Sequence, residues 1–155
     1  QGGHAEHAQW CFLLAACGGF FVWNRAPAQL FMGDVGSTFL GAAIGAWSLS
    51  STSVPLVCWL ILSAVFIGDA SYTLLRRAVS REPVFRPHRS HVYQKLALRW
   101  SSHTRVCIVV AAVNLLWLLP LAIVAAHVAA GSGLILLFLV ITAYLPIIII
   151  AYNMS

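Results

Sequence analysis

The chain has 155 residues, 61% of them hydrophobic and 8% charged, with a formal net charge of +5 and a mean hydropathy of +0.88. A soluble globular domain carries about a quarter charged residues, so this composition excludes an ordinary water-soluble enzyme and points to a bilayer. Cys11, Cys17, Cys58 and Cys107 all lie in apolar runs with no Cys-x-x-Cys pair, which argues against a disulfide framework or a zinc knuckle and reads as small buried hydrophobes.

The apolar runs predict an all-α integral membrane protein with about five transmembrane helices. The chain is read as a single transmembrane domain over residues 1–155, with one large loop at 76–105. The first span runs from Gln9 to Trp23, the second from Val35 to Leu49, and the third from Pro55 to Leu75. The fourth runs from Val106 to Ala126 and the fifth from Leu134 to Tyr152. No basic region precedes the first run, so it does not read as a signal peptide. There is no internal repeat. Arg76, Arg77, Arg81, Arg86, Arg89, Lys95, Arg99 and Arg105 fall between spans three and four, and Arg25 falls between spans one and two. Alternating crossings put all of these cations on one side. The positive-inside rule makes that side cytoplasmic, with the N-terminus outside and the C-terminus inside. Arg76, Arg77 and Arg81 are expected to rest on anionic headgroups.

Between the first two spans, "NRAPAQLFMG" carries Pro27 and Gly33 and reads as a loop or re-entrant segment. The stretch "GDVGS", residues 33–37, then sets Asp34 between two glycines at the cytoplasmic start of span two. Gly36 and Ser37 are expected to open the helix, whose free N–H groups favour an anion. Asp34 there is either a helix cap or a ligand for a hard cation that bridges to phosphate. Ser37, Gly41 and Gly45 follow at small-xxx-small spacing, suited to close helix packing. Asp69 lies inside span three. An ionisable residue in a span marks a functional site by default, the alternative being that it pairs with a loop arginine or caps a neighbouring helix.

In the large loop, "RPHRSHVYQKL" crowds Arg86, His88, Arg89 and His91 beside Pro87. Forked arginines and directional imidazole N–H groups suit a pyrophosphate. The His-x-x-His spacing, with His103 as a third ligand, would also fit zinc, but no cysteine lies nearby and the arginines repel a cation. A second His-x-x-His, His4 and His7 on the outer side, reads as an ordinary loop.

"FMGDVGS", an intramembrane aspartate, "RR" and "HRSHVYQKL", in this order, resemble the polyprenyl-phosphate N-acetylhexosamine-1-phosphate transferases, most closely those that start O-antigen or other surface glycans. The resemblance covers residues 10–105. It implies transfer of a sugar 1-phosphate from a UDP-N-acetylhexosamine to polyprenyl (undecaprenyl) phosphate, with release of UMP and a requirement for Mg²⁺. It makes Asp34 a magnesium ligand or a direct neighbour of the metal and puts His88, Arg89 and His91 in the active site. Asp69, Arg86, Gly33, Gly36 and Ser37 are then expected around the substrate, with the carboxylates and the loop converging at the cytoplasmic face of a bacterial plasma membrane. The partners expected are the lipid phosphate, the nucleotide sugar and the membrane, with no nucleic acid; a homodimer stays open. The family's paired-aspartate and "N-x-x-DG" segments do not occur here, so the chain is expected to be the C-terminal half of a longer enzyme. Two other readings stand beside this one: a transporter half with Asp69 coupling an ion, and a catalytically incomplete membrane fragment that binds a partner.

Overall fold

A computed structural model describes residues 2–81, 91–128 and 132–153. Every regular element among them is helical, as the composition predicts. The chain divides into two compact units, Gln1–Leu56 and Val57–Ser155.

The first unit is a helical hairpin. α1 (Gly2–Asn24) and α2 (Gly33–Ser50) touch at one end through Trp10 and Trp47, whose rings meet edge to face with centroids 4.9 Å apart. At the other end the connection folds back on α1. The Trp23 carbonyl accepts the N–H groups of both Gln29 and Leu30 at 2.9 and 3.2 Å, and Asn24 Nδ2 donates to the Leu30 carbonyl at 2.8 Å. These bonds pin the segment to the end of α1, so the expected loop or re-entrant segment is an ordered turn.

The second unit holds the core. α3 (Leu56–Leu62) and α4 (Ala64–Val79) meet at Ser63 with a bend of 69°, within the stretch expected as the third span. The Tyr144 hydroxyl donates to the Leu60 carbonyl at 3.2 Å, and a side chain entering the carbonyl ladder is a recognised cause of such a bend. α5 (Val92–Trp100) is short and carries Lys95 and Arg99, with Val92 and Ala97 buried. Ser101 ends it in a left-handed conformation (φ 50°). Ser102 then caps α6 (His103–Val113), its Oγ accepting the Arg105 N–H. A π turn at Asn114–Leu118 links α6 to α7 (Leu119–His127). It directly precedes Pro120, whose ring cannot complete a regular helical bond.

α8 (Gly133–Asn153) contains Pro146. Proline leaves the carbonyl four residues back without its donor, and here the Trp117 indole N–H donates to that carbonyl, on Thr142, at 3.4 Å. The core joins Cys58, Ile61, Ala64, Leu118, Ala122, Ala125, Leu139, Ala143 and Ile147. The alanines allow the close backbone approach that drives helix association in lipid. Cys58 lies among them, its thiol donating to the Ala122 carbonyl at 3.4 Å. Cys11 and Cys107 are exposed rather than buried, on faces rich in outward-pointing Leu, Ile, Val and Phe.

The span count is lower than the five expected. Among the described residues, His103–His127 and Gly133–Ile150 are long and apolar enough to cross a membrane, and the bent α3–α4 pair makes a third if it is one span. The first expected span falls in α1, whose apolar stretch Ala8–Asn24 is short of a full crossing. The second falls in α2, where Asp34, four glycines and the serines dilute the apolar residues.

Candidate functional site

Two groups of the expected residues fall within the described chain, one in each unit. The first is the start of α2. The helix opens at Gly33, three residues earlier than Gly36, and the capping position is Met32, which makes no side-chain cap bond. Asp34 is therefore a first-turn residue and not the cap. Each small residue of "GDVGS" has a local reason. Gly33 has φ +66°, where a β-carbon is strained. A β-carbon on Gly36 would stand 2.5 Å from Met32 Cγ. Ser37 Oγ donates to the Asp34 carbonyl at 3.1 Å. The Asp34 side chain has no such local employment. It is exposed, and among the described residues none is bonded to its carboxylate. Gly41 and Gly45 have no protein atom within 4 Å of where a β-carbon would stand.

The second group centres on Asp69, midway along α4. Its Oδ1 accepts the Val92 N–H at 2.7 Å, and its Oδ2 lies 3.2 Å from His91 Nδ1. The aspartate thus caps a neighbouring helix, an alternative left open by the sequence. Its partner is also one of the loop histidines. His91 is the N-cap residue of α5, extended at φ −62° and ψ 144°, and its carbonyl accepts the N–H groups of Gln94 and Lys95, each at 3.1 Å. Since its own side chain does not cap the helix, α4 supplies the carboxylate that does. Tyr93 stacks beside the His91 ring, centroids 5.8 Å apart and planes 30° apart. That contact was not foreseen, although an aromatic two residues beyond the histidine was its visible trace. Asp69, Thr73 and Arg77 recur every four residues on one face of α4. Thr73 and Arg77 are both buried, at 2% and 8% exposure, so Arg77 is not the headgroup anchor expected, while Arg76 and Arg81 are exposed.

Arg86, His88 and Arg89 lie outside the described residues. Among the described residues no cluster of three or more histidine, cysteine or acidic side chains forms a ready-made metal site. A Mg²⁺ site does not require one. The ion keeps several waters and binds through one or two carboxylates plus substrate phosphates, and an exposed, unengaged Asp34 fits that role.

Helices with apolar outer faces, carrying in one unit a pinned turn ahead of an acidic helix start and in the other a carboxylate–histidine pair, define an all-α membrane protein. Comparison with known proteins makes this specific. Residues 1–52 match the family model described as Glycosyl transferase family 4. The chain is 34% identical over 103 residues to a probable undecaprenyl-phosphate N-acetylglucosaminyl 1-phosphate transferase of Bacillus subtilis, covering 63% of this chain and 29% of that protein. It is 37% identical over 92 residues to the phospho-N-acetylmuramoyl-pentapeptide-transferase of Rhodococcus opacus, covering 57% of this chain and 25% of the relative. It is 33% identical over 129 residues to the enzyme of the same name from Mycobacterium leprae, covering 81% and 31%. The chain belongs to the polyprenyl-phosphate N-acetylhexosamine-1-phosphate transferase family. It spans less than a third of the length of these curated relatives. No solved structure matches it.

Proposed function

We infer that this protein transfers a sugar 1-phosphate, a HexNAc 1-phosphate, from a UDP-N-acetylhexosamine to polyprenyl (undecaprenyl) phosphate, starting a cell-envelope glycan. An oxygen of the lipid phosphate bonds to the sugar-linked phosphorus. The bridging P–O bond breaks, and UMP leaves with the bridging oxygen. The observation that carries this reading is the family match over residues 1–52, which contains the whole Gly33–Ser37 motif.

The chemistry asks for charge neutralisation and in-line positioning more than for a strong nucleophile. Asp34 would hold Mg²⁺ at the start of α2. The ion, when bound, offsets the diphosphate charge. Arg86, His88 and Arg89 grip the diphosphate from the loop, a role that rests on their sequence pattern. His91 joins them from the α5 N-terminus, held by Asp69. The excess of cations on one side argues that the site faces the cytoplasm across a bacterial plasma membrane.

The test is incorporation of label from UDP-[¹⁴C]sugars into butanol-extractable lipid by membranes carrying the protein. A panel of UDP-GlcNAc, UDP-GalNAc and UDP-MurNAc-pentapeptide identifies the donor. Mg²⁺-dependent labelling with one of them is expected. No labelling with any donor, in membranes whose own transferase is silenced, would overturn the reading.

A further inference from the structure

Tyr93 stands in the first turn of α5, and its two ends are held by different neighbours. Its ring stacks on His91, centroids 5.8 Å apart and planes 30° apart, and the His91 ring is tied in turn to Asp69 at 3.2 Å. Its hydroxyl oxygen accepts from Gln94 Nε2 at 3.3 Å. Gln94 Oε1 is buried. A carboxamide is planar, so the buried carbonyl end fixes the NH₂ end toward Tyr93. A phenolic hydroxyl has a proton to donate as well as lone pairs that accept. With Gln94 donating to the oxygen, the hydroxyl's own proton is left to bond elsewhere, and among the described residues none accepts it. Tyr93 is 49% exposed, so this donor is open to a ligand. The nearby carboxylate presents little charge there. The Asp69 side chain is 14% exposed, and both of its oxygens are engaged.

We propose that Tyr93 is a further substrate-binding residue, its hydroxyl donating to a phosphate oxygen. An O–H···O⁻ bond of this kind is short and charge-assisted, and it adds a neutral, directional donor to a run whose arginines supply charge. Tyr93 follows His91 by two positions, so it extends the Arg/His run and is not a separate site. The phosphate belongs either to the diphosphate of the nucleotide sugar or to the acceptor lipid, the two anions of the transfer reaction proposed above, on which this inference rests.

Tyr93→Phe keeps the ring and its stack and removes only the hydroxyl, whereas Tyr93→Ala removes both. Full-length protein in detergent micelles is titrated calorimetrically with UDP, which carries the donor's diphosphate whatever its sugar, and separately with undecaprenyl phosphate. Tyr93→Phe should weaken one of the two about ten- to a hundredfold, the range of one hydrogen bond to a charged group, with the unfolding temperature unchanged. Weakened UDP binding assigns the hydroxyl to the diphosphate, and weakened undecaprenyl phosphate binding assigns it to the acceptor. The KM of the corresponding substrate should rise alike. A Tyr93→Phe protein that binds both probes as wild type does overturns the proposal, and impairment of Tyr93→Ala alone would then mean that the ring only braces His91. Wild-type protein that binds neither probe overturns it as well. Weakened binding by Tyr93→Phe in a protein that releases no UMP from any UDP-sugar would instead sink the transfer reading and leave the phosphate contact standing.

Discussion

Gly68 and Ile147 are packed so closely that a β-carbon on Gly68 would stand 3.0 Å from Ile147 Cγ2. Gly68 is buried on α4 next to Asp69, so the α4–α8 contact holds the carboxylate in place. Tyr144 Cδ1, at 3.5 Å from the same point, closes the other side. Alanine here gains about 0.5–1 kcal/mol of helix propensity and asks Ile147 to move only slightly, so Gly68→Ala should be close to neutral. Valine adds two methyls to a filled site and should cost about 1–3 kcal/mol. Thermal unfolding in micelles checks this, and equal unfolding temperatures for the two variants would mean that the helices are not held this tightly.

Trp117 and Pro146 are coupled through the Thr142 carbonyl. Trp117→Phe removes the donor and leaves that carbonyl bare, at a cost of about 0.5–1.5 kcal/mol. Pro146→Ala restores a backbone N–H within reach of the same carbonyl. In the Pro146→Ala background, Trp117→Phe should therefore cost clearly less than in wild type. A double-mutant cycle on unfolding temperature measures the coupling. Additive effects would mean that the 3.4 Å contact contributes nothing.

Much of this architecture was readable in advance, and the failures have physical causes. Apolar runs located all the long helices, because burying the backbone in lipid leaves helix as the economical solution. Hydropathy could not register the break at Ser63, since α3 and α4 are both apolar and the bend depends on Tyr144, 84 residues beyond its acceptor Leu60. The same limit applies to Arg77. Sequence placed it among loop cations, whereas its helix face, shared with Asp69 and Thr73, turns it inward. At the site, the Gly-Asp-x-Gly-Ser spacing was legible as a helix start, but the separation of labour within it was not. That needed the φ of Gly33 and the position of Met32. Asp69 and His91 were both singled out from sequence, and the bond between them, across 22 positions, came from the packing of α5 beside α4.

The loop cations are expected to divide by geometry. If Arg89 grips a diphosphate, Arg89→Lys keeps the charge but loses the fork. Losing one charge-assisted hydrogen bond costs about 1.5–3 kcal/mol, or roughly ten- to a hundredfold in rate when the bond forms in the transition state. Arg81, just past the Ser80 cap of α4, has φ 55° and is exposed; if it serves only headgroup attraction, Arg81→Lys should be nearly silent. UMP release at saturating acceptor lipid checks both. Equal, small effects would reduce the loop to a membrane anchor.

The most direct test is UMP release by Asp34→Asn beside wild type, both full length, with polyprenyl phosphate, the preferred UDP-sugar and Mg²⁺. Asp34 has no bonded side-chain partner among the described residues, and Gly33, Gly36 and Ser37 keep the helix start intact without it. The variant should unfold near the wild-type temperature, and its turnover should fall by at least about a hundredfold, as expected when a carboxylate that anchors the charge-neutralising ion is lost. A folded Asp34→Asn protein that keeps most of its Mg²⁺-dependent UMP release would contradict the account.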